Sequence, residues 1–215
     1  MPPGSISRIV LPLAAATVLD GLTFGLLARS IGFGVGTTIA MSAFAFSGSA
    51  QFAAIGVVAA GGGVLAALLP ALLLNTRSLP MGLSIGRALR GGRARRALEA
   101  QLVIDESWAA SQVAPGRFSR PILLTVGATQ WFAWVGGTIL GVGGAAFVAD
   151  PHRLGLDAVV PALFLALLVP QLRTRNAYLA AFGGAAITLA LTPLAPPGIP
   201  VMASVLATLV GWRRR

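Results

Sequence analysis

Gly48-Ser49-Ala50-Gln51-Phe52-Ala53-Ala54 places a hydroxyl and an amide in the middle of an apolar run. Between Arg29 and Arg77 no ionisable side chain interrupts that run, so the stretch reads as embedded in lipid. An unpaired polar group at that depth costs several kcal/mol, roughly, because no water reaches it. Gln51, flanked by Gly and Ala, is therefore expected to face a neighbouring helix or a cavity rather than acyl chains. It is a candidate substrate or packing site inside a polytopic membrane protein.

The rest of the chain agrees with that class. Hydrophobic residues make up 56% and charged residues only 10%, with a mean hydropathy of +0.83, whereas soluble domains carry about a quarter charged residues. The 215 residues form one membrane domain, 1–215, with no stretch polar enough for a separate soluble domain. The net charge of +10 comes from sixteen basic residues, all Arg. Most flank apolar runs, which is the cytoplasmic bias of membrane proteins rather than a nucleic-acid surface, and no aromatic residues interleave with them to stack bases. Without cysteine, and with His152 as the single histidine, no disulfide framework and no multi-histidine metal cluster is available. No cofactor is expected.

Working outward, apolar runs fall at 9–28 (A), 37–60 (B), 64–86 (C), 121–147 (E), 156–171 (F), 176–192 (G) and 199–212 (H). Segment D, 98–114, is amphipathic. The expected fold is all-α and polytopic, with about seven hydrophobic helical segments, some broken or re-entrant. Arg87 to Arg96, Arg117 with Arg120, Arg173 with Arg175, and the terminal Arg213-Arg214-Arg215 mark cytoplasmic loops. The loop holding Asp150, His152 and Asp157 then falls outside. Segment A poses a parity problem: crossing once, it puts Arg8 outside, and dipping in and returning, it keeps Arg8 and Arg29 both inside.

Three ordered matches suggest an internal duplication of 9–86 in 98–171: Val18-Leu19-Asp20-Gly21 with Val103-Ile104-Asp105-Glu106, Gly48–Phe52 with Gly127–Trp131, and Pro70–Leu74 with Pro161–Leu165. They pair A with D, B with E and C with F, and would make Gln51 and Gln130 equivalent. Chance matches in a chain this rich in Gly, Ala and Leu are the competing explanation.

Four further groups bear on chemistry. Asp20 sits near the centre of A, where an acid costs about 2.5–3.5 kcal/mol to insert and marks a functional site or a water-filled breach. Asp105 and Glu106 are adjacent on D, about 100° apart on a helix. They are either a proton or substrate gate or a solvated acidic face. Arg77, in Asn75-Thr76-Arg77-Ser78, lies roughly 15 Å in from Arg87 by helical rise. There it can hold a carboxylate bidentately or snorkel to the headgroups. Trp131, Phe132 and Trp134 beside Gln130 line a substrate or form an interfacial belt. An intramembrane enzyme is not expected, since Ser49 has no His partner in lipid and neither an H-E-x-x-H nor a G-x-G-D motif occurs.

The run Phe44–Ala54 resembles the F-x-G-x-x-Q-F-A signature of the AzlC family of branched-chain amino acid exporters. Asn75-Thr76-Arg77-Ser78-Leu79-Pro80-Met81 is similar to that family's N-x-R-x-L-x-M segment, and Asp105-Glu106 to its D-E pair after the basic loop. The chain departs at Leu19-Asp20-Gly21, where the family shows Pro-Phe-Gly, and at Ser78, where a His often follows the Arg. The resemblance implies a multi-pass inner-membrane exporter subunit for branched-chain or other apolar amino acids. It would be a proton-coupled secondary carrier working with a small AzlD-like membrane subunit. A passive channel for small polar solutes, or a permease subunit of another transport system, is the alternative. Substrate is expected at Gly48, Ser49, Gln51, Phe52, Asn75, Arg77 and Gln130, and the coupling proton at Asp20 or at Asp105 with Glu106.

Overall fold

Helix α1, Pro3–Ser30, runs without a break through segment A despite Pro12. Its apolar stretch Val10–Ser30 is about 31 Å long at 1.5 Å per residue, enough for a bilayer core. The computed structural model describes residues 3–145, 165, 168–169, 172–195 and 199–208. Segment A is thus one continuous helix, long and apolar enough to cross once, and does not dip and return. Segment B is broken, into α2 (Val35–Ala45) and α3 (Gly48–Ala59), each about 16–18 Å and half the depth of a bilayer. Segment C likewise divides into α4 (Val64–Asn75) and α5 (Ser78–Ile85) at Thr76-Arg77.

Segment D is not one amphipathic helix. It comprises the end of α6 (Arg93–Ala100), the short α7 (Asp105–Ser111) and the start of a hairpin. The hairpin pairs β1, Gln112–Ala114, with β2, Arg117–Phe118. Pro115-Gly116 fills its turn, and Gly116 takes φ 69°, the left-handed value that a Pro-Gly turn needs. Segment E is the continuous α8, Arg120–Gly144. Segment G is α9, Arg175–Leu191, and H begins with α10, Ile199–Ser204, followed by a 3₁₀ turn at Val205–Thr208. Nearly all of F, the loop with Asp150, His152 and Asp157, and the terminal arginines lie outside the described residues. Among the described residues two helices, α1 and α8, are long and apolar enough to cross a membrane, or three if the bent pair α4–α5 is one span.

These elements overturn the pairing of segments. A continuous 28-residue helix has no counterpart in the short pieces of D, and broken B does not match unbroken E. Two of the three matching pairs lie in unlike structures, as chance similarity in a Gly-, Ala- and Leu-rich chain predicts, and the third, at 161–165, falls almost wholly outside the described residues.

The chain divides into two compact units, Met1–Gln51 with Asn75–Ala149, and Phe52–Leu74 with Asp150–Arg215. In the first, α1 and α8 pack backbone to backbone. A Cβ added at Gly21 or Gly25 would overlap the α8 backbone near Trp134, Thr138 and Gly141, and one at Gly137 or Gly141 would overlap Val18 and Leu22. Each helix therefore offers a G-x-x-x-G face, the spacing that lets membrane helices touch. Thr17 meets Gln130, Gly21 meets Trp134, and Gly25 meets Val142. The numbers rise together, so the two helices are parallel. In the second unit, α9 and α10 are antiparallel, with Thr188 Oγ1 3.4 Å from the Pro200 carbonyl and Gly184 beside Ser204. Burial is inverted relative to a soluble protein: Leu65, Leu72 and Phe182 are exposed while Thr38, Ser42, Gln51, Gln130 and Thr138 are buried. Lipid accepts the first set, and helix contacts satisfy the second.

Candidate functional site

The break in segment B is made by Phe46, whose φ of 35° is left-handed. That conformation costs a non-glycine residue of order 1–3 kcal/mol and persists only where the surroundings enforce it. Burial of the Phe46 ring supplies that enforcement. The break frees carbonyls at the end of α2, and side chains from elsewhere satisfy them. Gln101 Nε2 donates to Phe44 O at 2.7 Å and Trp131 Nε1 to Ala43 O at 2.9 Å. Trp131 is thus neither a belt residue nor a free wall of a cavity; it caps a broken helix.

Gln51 is turned inward, as its flanking small residues predict. Its Oε1 accepts the Ser47 backbone N–H at 3.3 Å, which fixes the amide orientation. Its Nε2 donates to Ser42 Oγ at 3.4 Å. Ser42 Oγ lies 2.8 Å from Thr138 Oγ1, and Thr138 donates its single proton to Trp134 O at 2.9 Å. Ser42 must therefore donate to Thr138. The result is a one-directional chain from Gln51 through Ser42 and Thr138 to the Trp134 carbonyl, all of it buried. Gly48 lies flat on the Trp134 ring, where a Cβ would come within 3.1 Å. Phe52 is buried.

The second break comes to the first. Ser47 Oγ donates to Asn75 Oδ1 at 2.6 Å, and Arg77 Nη2 donates to Ser49 Oγ at 3.1 Å. Two rungs, 47 to 75 and 49 to 77, thus tie the two sequence motifs together where both helices are interrupted. The other arm of the guanidinium, Nη1, holds Asp105 Oδ2 at 2.9 Å, with both side chains about half exposed. Glu106, exposed on the first turn of α7, lies within electrostatic reach of Asp105, Arg77 and Asp20. Arg77 and Asp105 are therefore paired, with Glu106 next to Asp105 on α7, while Asp20 lies on α1.

Gln130 stands apart from that group. Its Nε2 donates to Thr17 Oγ1 at 2.9 Å, its Oε1 is buried without a hydrogen-bond partner, and its place is the α1–α8 seam. Sequence reasoning missed Ser42, Thr138 and Gln101, which satisfy the break; lone small hydroxyls in apolar runs, and the G-x-x-x-G around Thr138, were the available signal. It also missed Glu99, the one acid in the basic loop. Glu99 Oε2 accepts Arg120 Nε at 3.0 Å and the Arg90 backbone N–H at 3.4 Å, while Oε1 accepts Arg120 Nη2 and Arg95 Nε at 3.1 Å. Chiefly through Arg120, and against the upward push of its burial, its carboxyl is held down to about 2. Among the described residues no group of three or more His, Cys, Asp or Glu could hold a metal ion.

The family model described as AzlC protein matches residues 12–148. An uncharacterized membrane protein of Archaeoglobus fulgidus is 32% identical over 94% of this chain and 90% of its own length. The branched-chain amino acid transport protein AzlC of Bacillus subtilis is 26% identical over 95% of this chain and 82% of its own. The inner membrane protein YgaZ of Escherichia coli is 25% identical, over 77% and 71%. No solved structure matches. Both signature segments, joined here by two hydrogen bonds, fall inside the matched span, and the chain is a membrane protein belonging to the AzlC family.

Proposed function

We propose that this chain is the large subunit of an exporter of branched-chain or other apolar amino acids in the cytoplasmic membrane. In this reading residues 1–215 act as one transporter domain, a proton-coupled secondary carrier working with a small AzlD-like membrane subunit. The observation that carries the reading is the meeting of two interrupted helices around Arg77. Interrupted helices expose backbone polar groups at bilayer depth, the arrangement with which transporters hold substrate. A half-exposed guanidinium beside Ser49 and Asn75 suits a carboxylate, which it can grip with two parallel hydrogen bonds. Gly48 seats the start of α3 on the Trp134 ring, and the surrounding apolar side chains suit an aliphatic side chain. Gln51 then acts by holding the break in shape, through Ser47 and Ser42, and Phe52 is buried. Asp20, Asp105 and Glu106 are the carboxylates available to the coupling proton.

The test is efflux of preloaded leucine, isoleucine and valine from cells expressing the chain with and without a co-expressed small subunit. Export against a gradient, abolished by an uncoupler and by Arg77→Ala with the protein still in the membrane, is the expected result. Downhill flux indifferent to the uncoupler would make it a channel, and full export by Arg77→Ala would remove the site.

A further inference from the structure

We propose that Asp105 is an internal counter-ligand which occupies Arg77 in the substrate-free protein, so that the ligand must carry a free carboxylate able to displace it. The proposal rests on the reading of Arg77 as the substrate's carboxylate site.

The geometry is that of a fork divided between two weak holders. Nη1 holds Asp105 Oδ2 at 2.9 Å and Nη2 holds the neutral Ser49 hydroxyl at 3.1 Å. A ligand carboxylate that takes both arms gains a charge-assisted pair of parallel bonds in place of one such bond and one ordinary one. Both partners of the ion pair are about half exposed, so the guanidinium is open to an incoming group. An ion pair with that much exposure is weak enough to exchange. The two holders also belong to different elements, Ser49 to α3 and Asp105 to the first turn of α7. Displacing them breaks the link from α7 to Arg77 and the link from Arg77 to α3, leaving α7 held to α5 by Trp108 Nε1 on Ser84 Oγ at 2.8 Å. Asp105, once displaced, is left beside Glu106, its neighbour in the first turn of α7 and a second acid. Losing the guanidinium beside a second acid opposes its release, so an amine or amide without a carboxylate has nothing with which to drive the exchange. The ligand class is therefore the α-amino acid with its carboxylate free, discriminated against the corresponding amide by the occupied fork and not by pocket size.

The experiment is binding of L-leucine and L-leucinamide to the purified full chain in lipid nanodiscs, measured by calorimetry for wild type, Asp105→Asn, Asp105→Ala and Arg77→Ala. Size-exclusion profiles establish that each variant is folded. Both Asp105 variants are expected to bind leucine roughly two- to fivefold more tightly than wild type, the worth of a half-exposed ion pair. Leucinamide should bind none of them. Equal or weaker leucine binding by folded Asp105 variants, with Arg77→Ala still losing it, would overturn the counter-ligand alone. Unchanged leucine binding by Arg77→Ala, or no leucine binding by wild type and Asp105→Asn alike, would overturn the underlying site as well.

Discussion

Thr138 has one proton and gives it to the Trp134 carbonyl of its own helix, and that choice orders every donor upstream. Valine at 138 keeps the volume and deletes the acceptor, leaving the Ser42 hydroxyl without a target inside a water-free contact. The cost of such an orphaned buried donor is about 1–3 kcal/mol, and membrane-protein hydrogen bonds tend to the lower end of that range. Thr138→Val should therefore lower the stability measured by controlled unfolding in detergent by about 1 kcal/mol. A Ser42→Ala/Thr138→Val double variant should lose less than the sum of the two single changes, since each breaks the same chain. Additive losses would show that the two hydroxyls act separately. At this scale the sequence was informative about Gln51, because an amide between small residues in lipid has few places to turn. It was silent about the partners, because Ser42 and Thr138 are 96 residues apart and a lone hydroxyl in an apolar run is unremarkable until its neighbour is known.

The elements α6 and α8 are fastened by Glu99, which gathers Arg120, Arg95 and the Arg90 backbone. Its carboxyl is held at about 2 against an ordinary 4.5. A group with its folded value depressed contributes stability that is complete above the ordinary value and disappears as pH falls through the folded one. The fastening is thus intact at neutral pH and fades between 4.5 and about 2. Thermal unfolding across that window should show wild type losing its advantage over Glu99→Gln as the acid limb is descended. Parallel pH profiles for the two would contradict the assignment. Element boundaries were legible wherever a stretch was long and uninterrupted, as in α8 and α9. Segment D was misjudged because the Gln101-Leu102 turn and the strand at Gln112–Ala114 cut a run whose average polarity resembles an amphipathic helix. The duplication failed for a related reason: identical peptides such as Gly-x-x-Gln-aromatic serve a helix start in α3 and a helix interior in α8. Their setting, not their composition, decides which.

For the whole molecule, the parallel run of α1 and α8 constrains the parity that arginine counting leaves open. The N-terminal end of α1 lies with Arg120, and the Arg87–Arg96 loop joins that same end through Glu99. By the positive-inside rule this end is expected on the cytoplasmic side, with Ser30 at the opposite face. Arg29 is no exception that matters: its Nη1 donates to the Phe33 carbonyl at 2.5 Å, satisfying the turn that ends α1. Between Ser30 and Arg87 the chain must make an odd number of crossings, yet segments B and C would supply two. We expect segment B to turn back at Phe46-Ser47, leaving α4–α5, long and apolar enough as a bent pair, to supply the crossing. The chain has no cysteine of its own, so single replacements report cleanly. Ile31→Cys and Gly62→Cys should both react with an impermeant maleimide on intact cells, and Ala88→Cys only after permeabilisation. Protection of Gly62→Cys alongside Ala88→Cys would move the turn to segment C. The glycine seam carries one more consequence. Where two backbones touch with no side chains interposed, there is nothing to reshuffle, and the pair can only travel as a single strut. Any rocking that opens the protein first to one compartment and then to the other has to be hinged at the interrupted helices, leaving the strut as the fixed post against which they swing.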